Sequence, residues 1–494
     1  MKFELTLTQR GMFWALLIFT MLIRLLSLGS YPLADTTEAR YGEIARLMAE
    51  TGDWITPQIH QGVPFWGKPP LSTWLSAISI RILGANEFAI RLPSFLIAVT
   101  VLALVYSLAL RQRGRDFALV ATVGLATSVI FFVSSGAVMT DPALVLGTTL
   151  SMVAFWRAMT EKDRVGLIWG YLFFVGLATG LLAKGPVALV LTGLPVGGWI
   201  FWQRQWGSAW YRIPWLPGLA LCLALSVPWY YLAEVKTPGF LDYFIIGEHW
   251  KRFLVSGWKG DLYGSAHSRP LGTIWLYWLV TTLPWSLVLL ASLFRKGVRR
   301  RAGSILSHSD GWCAYLALWA IAPMLFFTIA GNILPTYVLP GLPAFALLLS
   351  EIMLADQTSI RISPTRGSRD MLRAATAASM LFALGWVLVA AQVVPLKKSQ
   401  KGLVMAYRND QTDPTGQLVY LFKRPQSAEF YSRGRAQFAR QTQDTDAYFR
   451  NANKDYFALR ERNMKLLPET VLRRVEKLGE FNGYYLLKEK TVLR

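Results

Sequence analysis

Apolar stretches of about 20 residues, the length needed to cross the roughly 30 Å hydrocarbon core of a bilayer, recur along this chain. Eleven of them begin near Met12, Ile90, Phe117, Pro142, Leu167, Val187, Trp215, Thr273, Trp312, Thr336 and Ala374. Crowding between Val123 and Phe155 and between Gly170 and Trp202 leaves room for more. The pattern predicts a polytopic α-helical membrane protein with about 11 to 13 transmembrane helices. Arg24 interrupts the first run and no small-residue cleavage site follows it, so it is expected to remain as a span rather than to be removed as a signal peptide.

Polar sequence is concentrated in three long segments: residues 29–91, 234–272 and the tail. Lys and Arg in the short loops set orientation. Arg111, Arg113, Arg115, Lys162, Arg164, Arg204 and Arg212 fall on one side, followed by the run from Arg295 through Lys296 to Arg301 and by Arg361 to Arg373. The opposite short loops hold almost none, with Lys184 the exception. The three long segments then face the periplasm of a bacterial inner membrane, and the chemistry is expected there, since irregular polar backbone needs water or a protein-lined cavity. The chain divides into a membrane domain over 1–395 and a small periplasmic α/β domain over 396–494. In the latter, the alternating runs Gln417–Phe422 and Tyr484–Lys488 predict strands, and Glu469–Leu478 predicts a helix that stops at Gly479.

Composition narrows the class. The 494 residues carry a formal charge of +21, yet only 16% are charged and 53% are hydrophobic. A nucleic-acid binder pairs its basic excess with a polar surface, which this chain lacks. The anion it meets is therefore expected to be a membrane lipid. Two cysteines, Cys222 and Cys313, are too few for a disulfide framework. Four His without compact spacing leave a divalent metal site open but weakly supported; His249 and His267 share one loop with Asp261, and His60 lies in another. No phosphate-binding glycine loop or dinucleotide fingerprint is present, so no cofactor is required.

The first long segment contains ADTTEARYGEIARLMAETGDW from Ala34. Asp35 and Glu38 have the spacing of a capping box at the start of an amphipathic helix over about Thr36–Glu50. Tyr41, Ile44, Ala45 and Met48 share one face, Gly52 suits the exit, and the helix is expected to lie in the outer interface. Asp35 is read either as a cap or as a catalytic carboxylate. Arg40 and Glu43 are read as solvated or paired. In Gly62–Trp74, GVPFWGKPPLSTW, Lys68 stands among aromatic residues suited to the headgroup zone, where it either snorkels or holds a lipid phosphate. Asp141 before Pro142 is either an N-cap or a cavity carboxylate.

Together, DTTEARYGEIARLMAETGDW, GVPFWGKPPLSTW, Lys184-Gly185-Pro186 and LPTYVLP over Leu334–Pro340 resemble the aminoarabinose transferase family, which modifies lipid A and is related to the protein O-mannosyltransferases within the GT-C glycosyltransferase superfamily. The resemblance implies a GT-C-like enzyme. It would move a sugar, with inversion, from undecaprenyl phosphate to lipid A or another envelope acceptor, acting as a monomer among membrane lipids. It makes Asp35 the first-loop catalytic aspartate, and Glu38 and Asp141 are further carboxylate candidates read from the residues themselves. It makes Lys68 the donor-phosphate lysine, joined by Arg252 and Tyr337, and Lys184 is added because it breaks the charge pattern of the short loops. Two positions depart from the family pattern: Gly67, where an acidic residue is common, and Ile333, where Lys is common. A hexose or amino sugar passed to another glycan or to protein is the alternative within this chemistry. A lipid transporter or flippase is the alternative from another class, disfavoured because the distinctive polar residues cluster in outer loops rather than at the bilayer midplane.

Overall fold

The structure, a computed structural model, describes residues 3–264, 267–295, 298–299, 311–354, 366–394, 398–411, 414–441, 444, 446–451 and 453–490. Lys296, Arg300, Arg301 and Arg361 of the expected orienting set lie outside the described residues, as do positions 396 and 397 at the expected domain boundary.

The protein is a multi-pass helical membrane protein with a small C-terminal sheet domain. Among the described residues, seven helices are long and apolar enough to cross a bilayer: Leu7–Ser27, Glu87–Arg113, Asp141–Thr160, Asp163–Lys184, Trp215–Lys236, Pro335–Leu354 and Arg366–Ala390. The pair Thr273–Thr281 and Trp285–Leu293, bent by 99°, makes an eighth if taken as one span. All eleven apolar stretches coincide with helices, four of them short or broken, so the described residues give seven or eight full spans by length and composition. The helix Arg115–Ala126 ends after 12 residues, where the Val129 N–H leaves the helical ladder for the Leu283 carbonyl at 2.9 Å. At about 1.5 Å per residue, that helix covers little more than half of the hydrocarbon core. Pro284 interrupts the bent pair, because it has no N–H to continue the ladder.

Where spans meet, small residues permit backbone contact. A Cβ on Gly147 would lie 2.5 Å from the amide nitrogen of Gly180 and 2.8 Å from the carbonyl oxygen of Gly176, so Asp141–Thr160 and Asp163–Lys184 pack closely only with glycine there.

In the first long segment the helix runs Thr37–Thr51 and ends as expected, with Gly52 in the left-handed region (φ 72°) and its N–H on the Met48 carbonyl. The start differs. Glu38 reaches back to the Ala34 N–H, as in half of a capping box, but Asp35 does not cap; its carboxylate accepts instead from Ser427 of the tail. The helix buries both faces rather than resting on a bilayer surface. Ala45 and Met48 pack with Ala77 and Ile80 of the helix Leu71–Leu83, while Phe430 of the tail joins the same core beside Ala39. Glu43 and Arg46, each about 1% exposed, form a buried ion pair at 2.6 Å. A short hairpin of β1 (Gln58–His60) and β2 (Val63–Pro64) follows.

The tail folds around five strands: β3 (Leu418–Leu421), β4 (Gln437–Ala439), β5 (Tyr456–Arg460), β6 (Val475–Phe481) and β7 (Tyr484–Glu489), in the order β4-β3-β5-β7-β6. The first three are parallel, whereas β7 pairs antiparallel with both β5 and β6. The two alternating sequence runs are β3 and β7. The expected helix over Glu469–Leu478 stops at Arg474, and Gly479 lies inside β6 at a register shift. Pairing with β7 overrides the local helical pattern there.

This domain is fastened to the first loop by polar contacts. The Asp35 N–H donates to the Lys398 carbonyl at 2.7 Å, and the Leu33 N–H donates to the Tyr431 hydroxyl at 2.7 Å. Lys401 pairs with Glu87 at 2.6 Å and His60 with Glu429 at 2.8 Å.

Candidate active site

A cavity of about 920 Å³ opens where the first loop, the second outer loop, the ends of three spans and the tail meet. Five of the seven site residues expected from sequence line it: Lys68, Asp141, Lys184, Arg252 and Tyr337. Asp35 and Glu38 do not. Asp35 stands at the rim beside the lining residues Thr36 and Thr37, its carboxylate engaged by the Ser427 N–H at 2.9 Å and the Ser427 hydroxyl at 2.5 Å. Burial raises its pKa, against the opposing pull of those hydrogen bonds and of Lys423. Glu38 accepts from Arg91 through both oxygens, at 3.1 and 2.9 Å, and holds the first-loop backbone.

Local structure explains how the other five converge. Lys68 precedes two prolines that start Leu71–Leu83, and its backbone follows Gly67, where a Cβ would fall 2.9 Å from the Phe65 ring. An acidic side chain at that position would force the ring to move. The carboxylate beside Lys68 comes instead from Glu248, at 2.9 Å. Glu248 lies on a π-helical stretch, Asp242–Lys251, and accepts from Arg252 through both oxygens at 2.8 Å and from the Tyr243 hydroxyl at 3.2 Å. Arg252 also reaches Asp261 at 3.4 Å. Burial alone would push the Glu248 carboxyl up, but the charges of Lys68 and Arg252 outweigh it and pull the pKa down to about 2. Glu248 is not among the site residues expected from sequence, and its one sequence signal is the four-residue spacing to Arg252, the distance at which a carboxylate and a guanidinium meet on a helix.

Across the cavity, Asp141 sits at the start of its helix and Lys184 at the end of the next, and they pair at 2.6 Å. The Lys184 ammonium also lies 4.4 Å from the centre of the Tyr337 ring. Gly185 (φ 81°) turns the chain where a Cβ would meet the Phe244 ring at 2.7 Å. His249 places its two ring nitrogens 2.8 and 3.0 Å from the carbonyl oxygens of Phe244 and Lys184, and burial lowers its pKa. The three candidate metal histidines do not meet, since His60 is engaged by Glu429 away from the cavity. Among the described residues no three His, Cys, Asp or Glu side chains converge as a metal site.

Arg40, read from sequence as solvated or paired, is partly exposed and forms no ion pair among the described residues. It lines the cavity, and its Nε is buried without a hydrogen-bond partner among the described residues.

The Glu248 cluster makes the fold pH-sensitive on one side. A carboxyl whose pKa is depressed contributes stability that is complete above its unfolded value of roughly 4.3 and is lost as pH falls toward the folded value. Glu248→Gln is therefore expected to lower the melting temperature of the detergent-solubilised protein by a constant amount from pH 5 to 8. The gap from wild type should narrow as pH falls below about 4.3. A gap that does not change with pH would show that Glu248 is not ionised in the folded protein.

The chain as a whole is similar to a crystal structure of ArnT from Cupriavidus metallidurans bound to undecaprenyl phosphate, with a TM-score of 0.77 over 98% of this chain and 99% of that one, at 18% identity. An archaeal oligosaccharyltransferase from Archaeoglobus fulgidus aligns with a TM-score of 0.53 over 93% of this chain and 70% of that one, at 12% identity. The fold is thus one shared with these two membrane proteins. Residues 12–244 match the family model described as dolichyl-phosphate-mannose-protein mannosyltransferase. An undecaprenyl phosphate-α-4-amino-4-deoxy-L-arabinose arabinosyl transferase from Pseudomonas fluorescens is 31% identical over 73% of this chain and 61% of its own length. Its counterpart from Erwinia tasmaniensis is 32% identical over 78% and 65%. The chain spans a little over three fifths of the length of these curated relatives. Over most of its length the chain is thus similar to aminoarabinose transferases.

Proposed function

We propose that this protein is an inverting glycosyltransferase that moves 4-amino-4-deoxy-L-arabinose from undecaprenyl phosphate to a phosphate of lipid A, at the periplasmic face of the inner membrane. The observation that carries the reading is the convergence of Lys68, Arg252 and Tyr337, from three distant segments, on one cavity at one end of the spans.

In this reading the polyprenyl phosphate is the leaving group. As the bond from the anomeric carbon to the phosphate oxygen breaks, negative charge builds on that phosphate, and Lys68 and Arg252 are positioned to stabilise it. Glu248 holds both cations in place. The attacking group, an oxygen of the acceptor phosphate, is already ionised and needs no general base. It forms the new bond to the anomeric carbon from the opposite face. Asp141 is the expected carboxylate facing the sugar, held by Lys184, and its charge suits the positive character of the sugar ring and its amino group. Asp35 and Glu38 are assigned to holding the first loop and the tail at the cavity rim.

Mass spectrometry of lipid A from cells with and without the gene tests donor and acceptor together. The expected result is loss of the aminoarabinose-bearing species and accumulation of undecaprenyl phosphate aminoarabinose. Unchanged lipid A, with a different envelope glycan or protein losing a sugar, would replace the acceptor in this reading. Purified protein that moves the lipid across a bilayer without transferring sugar would remove the enzyme reading.

A further inference from the structure

Positive charge in the cavity is unevenly matched. Lys68 and Arg252 lie against the carboxylates of Glu248 and Asp261, and Lys184 lies against Asp141. Arg40 and Lys423 also line the cavity, and neither forms an ion pair among the described residues. They come from different parts of the chain. Arg40 is in the first turn of the helix Thr37–Thr51, and Lys423 follows β3 in the C-terminal domain. Asp35, which the tail engages, feels the Lys423 charge, and Arg40 Nη2 lies 3.8 Å from where a Gly264 Cβ would stand. That position is also 3.8 Å from Asp261 Oδ2, so the guanidinium lies at the cavity wall beside segment 234–272, with its Nε buried and without a hydrogen-bond partner among the described residues. A buried N–H of a charged group without an acceptor is costly, and an anion placed there removes the cost.

We propose that Arg40 and Lys423 form a second anion subsite, which takes the phosphate monoester of the acceptor. This rests on the reading of the protein as a transferase with a phosphorylated acceptor. Charge separates the two subsites. The donor carries a phosphodiester of one negative charge and meets cations already matched by carboxylates, whereas a phosphate monoester carries about −1.5 to −2 near neutral pH and suits two cations without such partners. The subsite gives the C-terminal domain a direct role, because Lys423 reaches the cavity only when that domain is docked through Ser427 and Tyr431.

The test uses the full-length protein in nanodiscs, with a diacylated glucosamine disaccharide bearing a phosphate monoester as probe and its dephosphorylated form as reference. Wild type is expected to bind the phosphorylated probe more tightly than the reference. Lys423→Gln and Arg40→Gln are each expected to weaken that phosphate-dependent binding by about tenfold or more, the size of a lost charge-assisted contact. Lys423→Arg should restore most of it, and affinity for undecaprenyl phosphate should not move in the Lys423 variants. Wild-type affinity for the phosphorylated probe in both Gln variants overturns the subsite, as does an equal loss of affinity for undecaprenyl phosphate. If wild type binds the probe through its phosphate and the variants lose that binding, but no aminoarabinose is transferred to it, the subsite stands and the proposed transfer fails.

Discussion

Lys68→Ala is expected to lower transfer from undecaprenyl phosphate aminoarabinose by about 10²-fold to 10³-fold, the range seen when a preorganised group facing developing charge is removed. The lysine is placed for this role by geometry. Its ammonium is about 20% exposed at the cavity wall, near enough to Glu248 to be held and open enough to meet a ligand. The substitution should leave the fold intact, because Glu248 keeps Arg252 and Tyr243 as partners. Membrane insertion and melting temperature are therefore measured beside single-turnover transfer. Lys68→Arg should recover only part of the rate, since a planar fork does not reproduce a compact ammonium. Turnover within about threefold of wild type in a correctly inserted Lys68→Ala protein would remove this residue from the chemistry.

The second large effect is structural and lies at the first-loop clamp. Arg91 is fully buried, and its guanidinium donates to both oxygens of Glu38 and to the carbonyls of Leu28, Tyr31 and Pro32. It also stacks on the Tyr31 ring, 3.8 Å from the centre. Arg91→Met leaves three carbonyls and a mostly buried carboxylate without their donor. Breaking a buried ion pair from one side costs about 3–5 kcal/mol. The expected result is a large fall in melting temperature in detergent, with partial recovery in the double variant Arg91→Met/Glu38→Gln, which removes the stranded charge. A melting temperature equal to wild type in Arg91→Met would show that the clamp contributes nothing. Because this clamp fixes the segment that carries Asp35, Thr36 and Arg40, activity should fall with it.

The membrane class and its approximate layout were legible in the sequence because burial in lipid imposes a simple rule: a spanning helix must be apolar for most of its length. That rule marks where helices occur, and every apolar stretch contains one. It does not mark where a helix breaks. The breaks after Ala126 and at Pro284 go with a backbone N–H that bonds a distant carbonyl, Val129 to Leu283, and with a missing N–H, features that hydropathy averages away. Gly52 as a helix exit was legible for a local reason, the left-handed φ that glycine adopts at no steric cost. Asp35 was not, because the partner that takes its carboxylate, Ser427, lies nearly four hundred residues further along.

The sequence by itself determined the chemical types available to the site: Lys68 and Arg252 as cations in two long polar segments, Lys184 in a short loop otherwise free of Lys and Arg, Asp141 before a proline, and Tyr337 in the Leu-Pro-Thr-Tyr motif. Only the tertiary structure decided which of them share a cavity, which carboxylates neutralise which cations, and that Arg40 and Lys423 have no ion pair among the described residues. The physical reason is that a residue's type follows from its own atoms, while its charge balance depends on neighbours within about 4 Å that the chain brings together from distant segments.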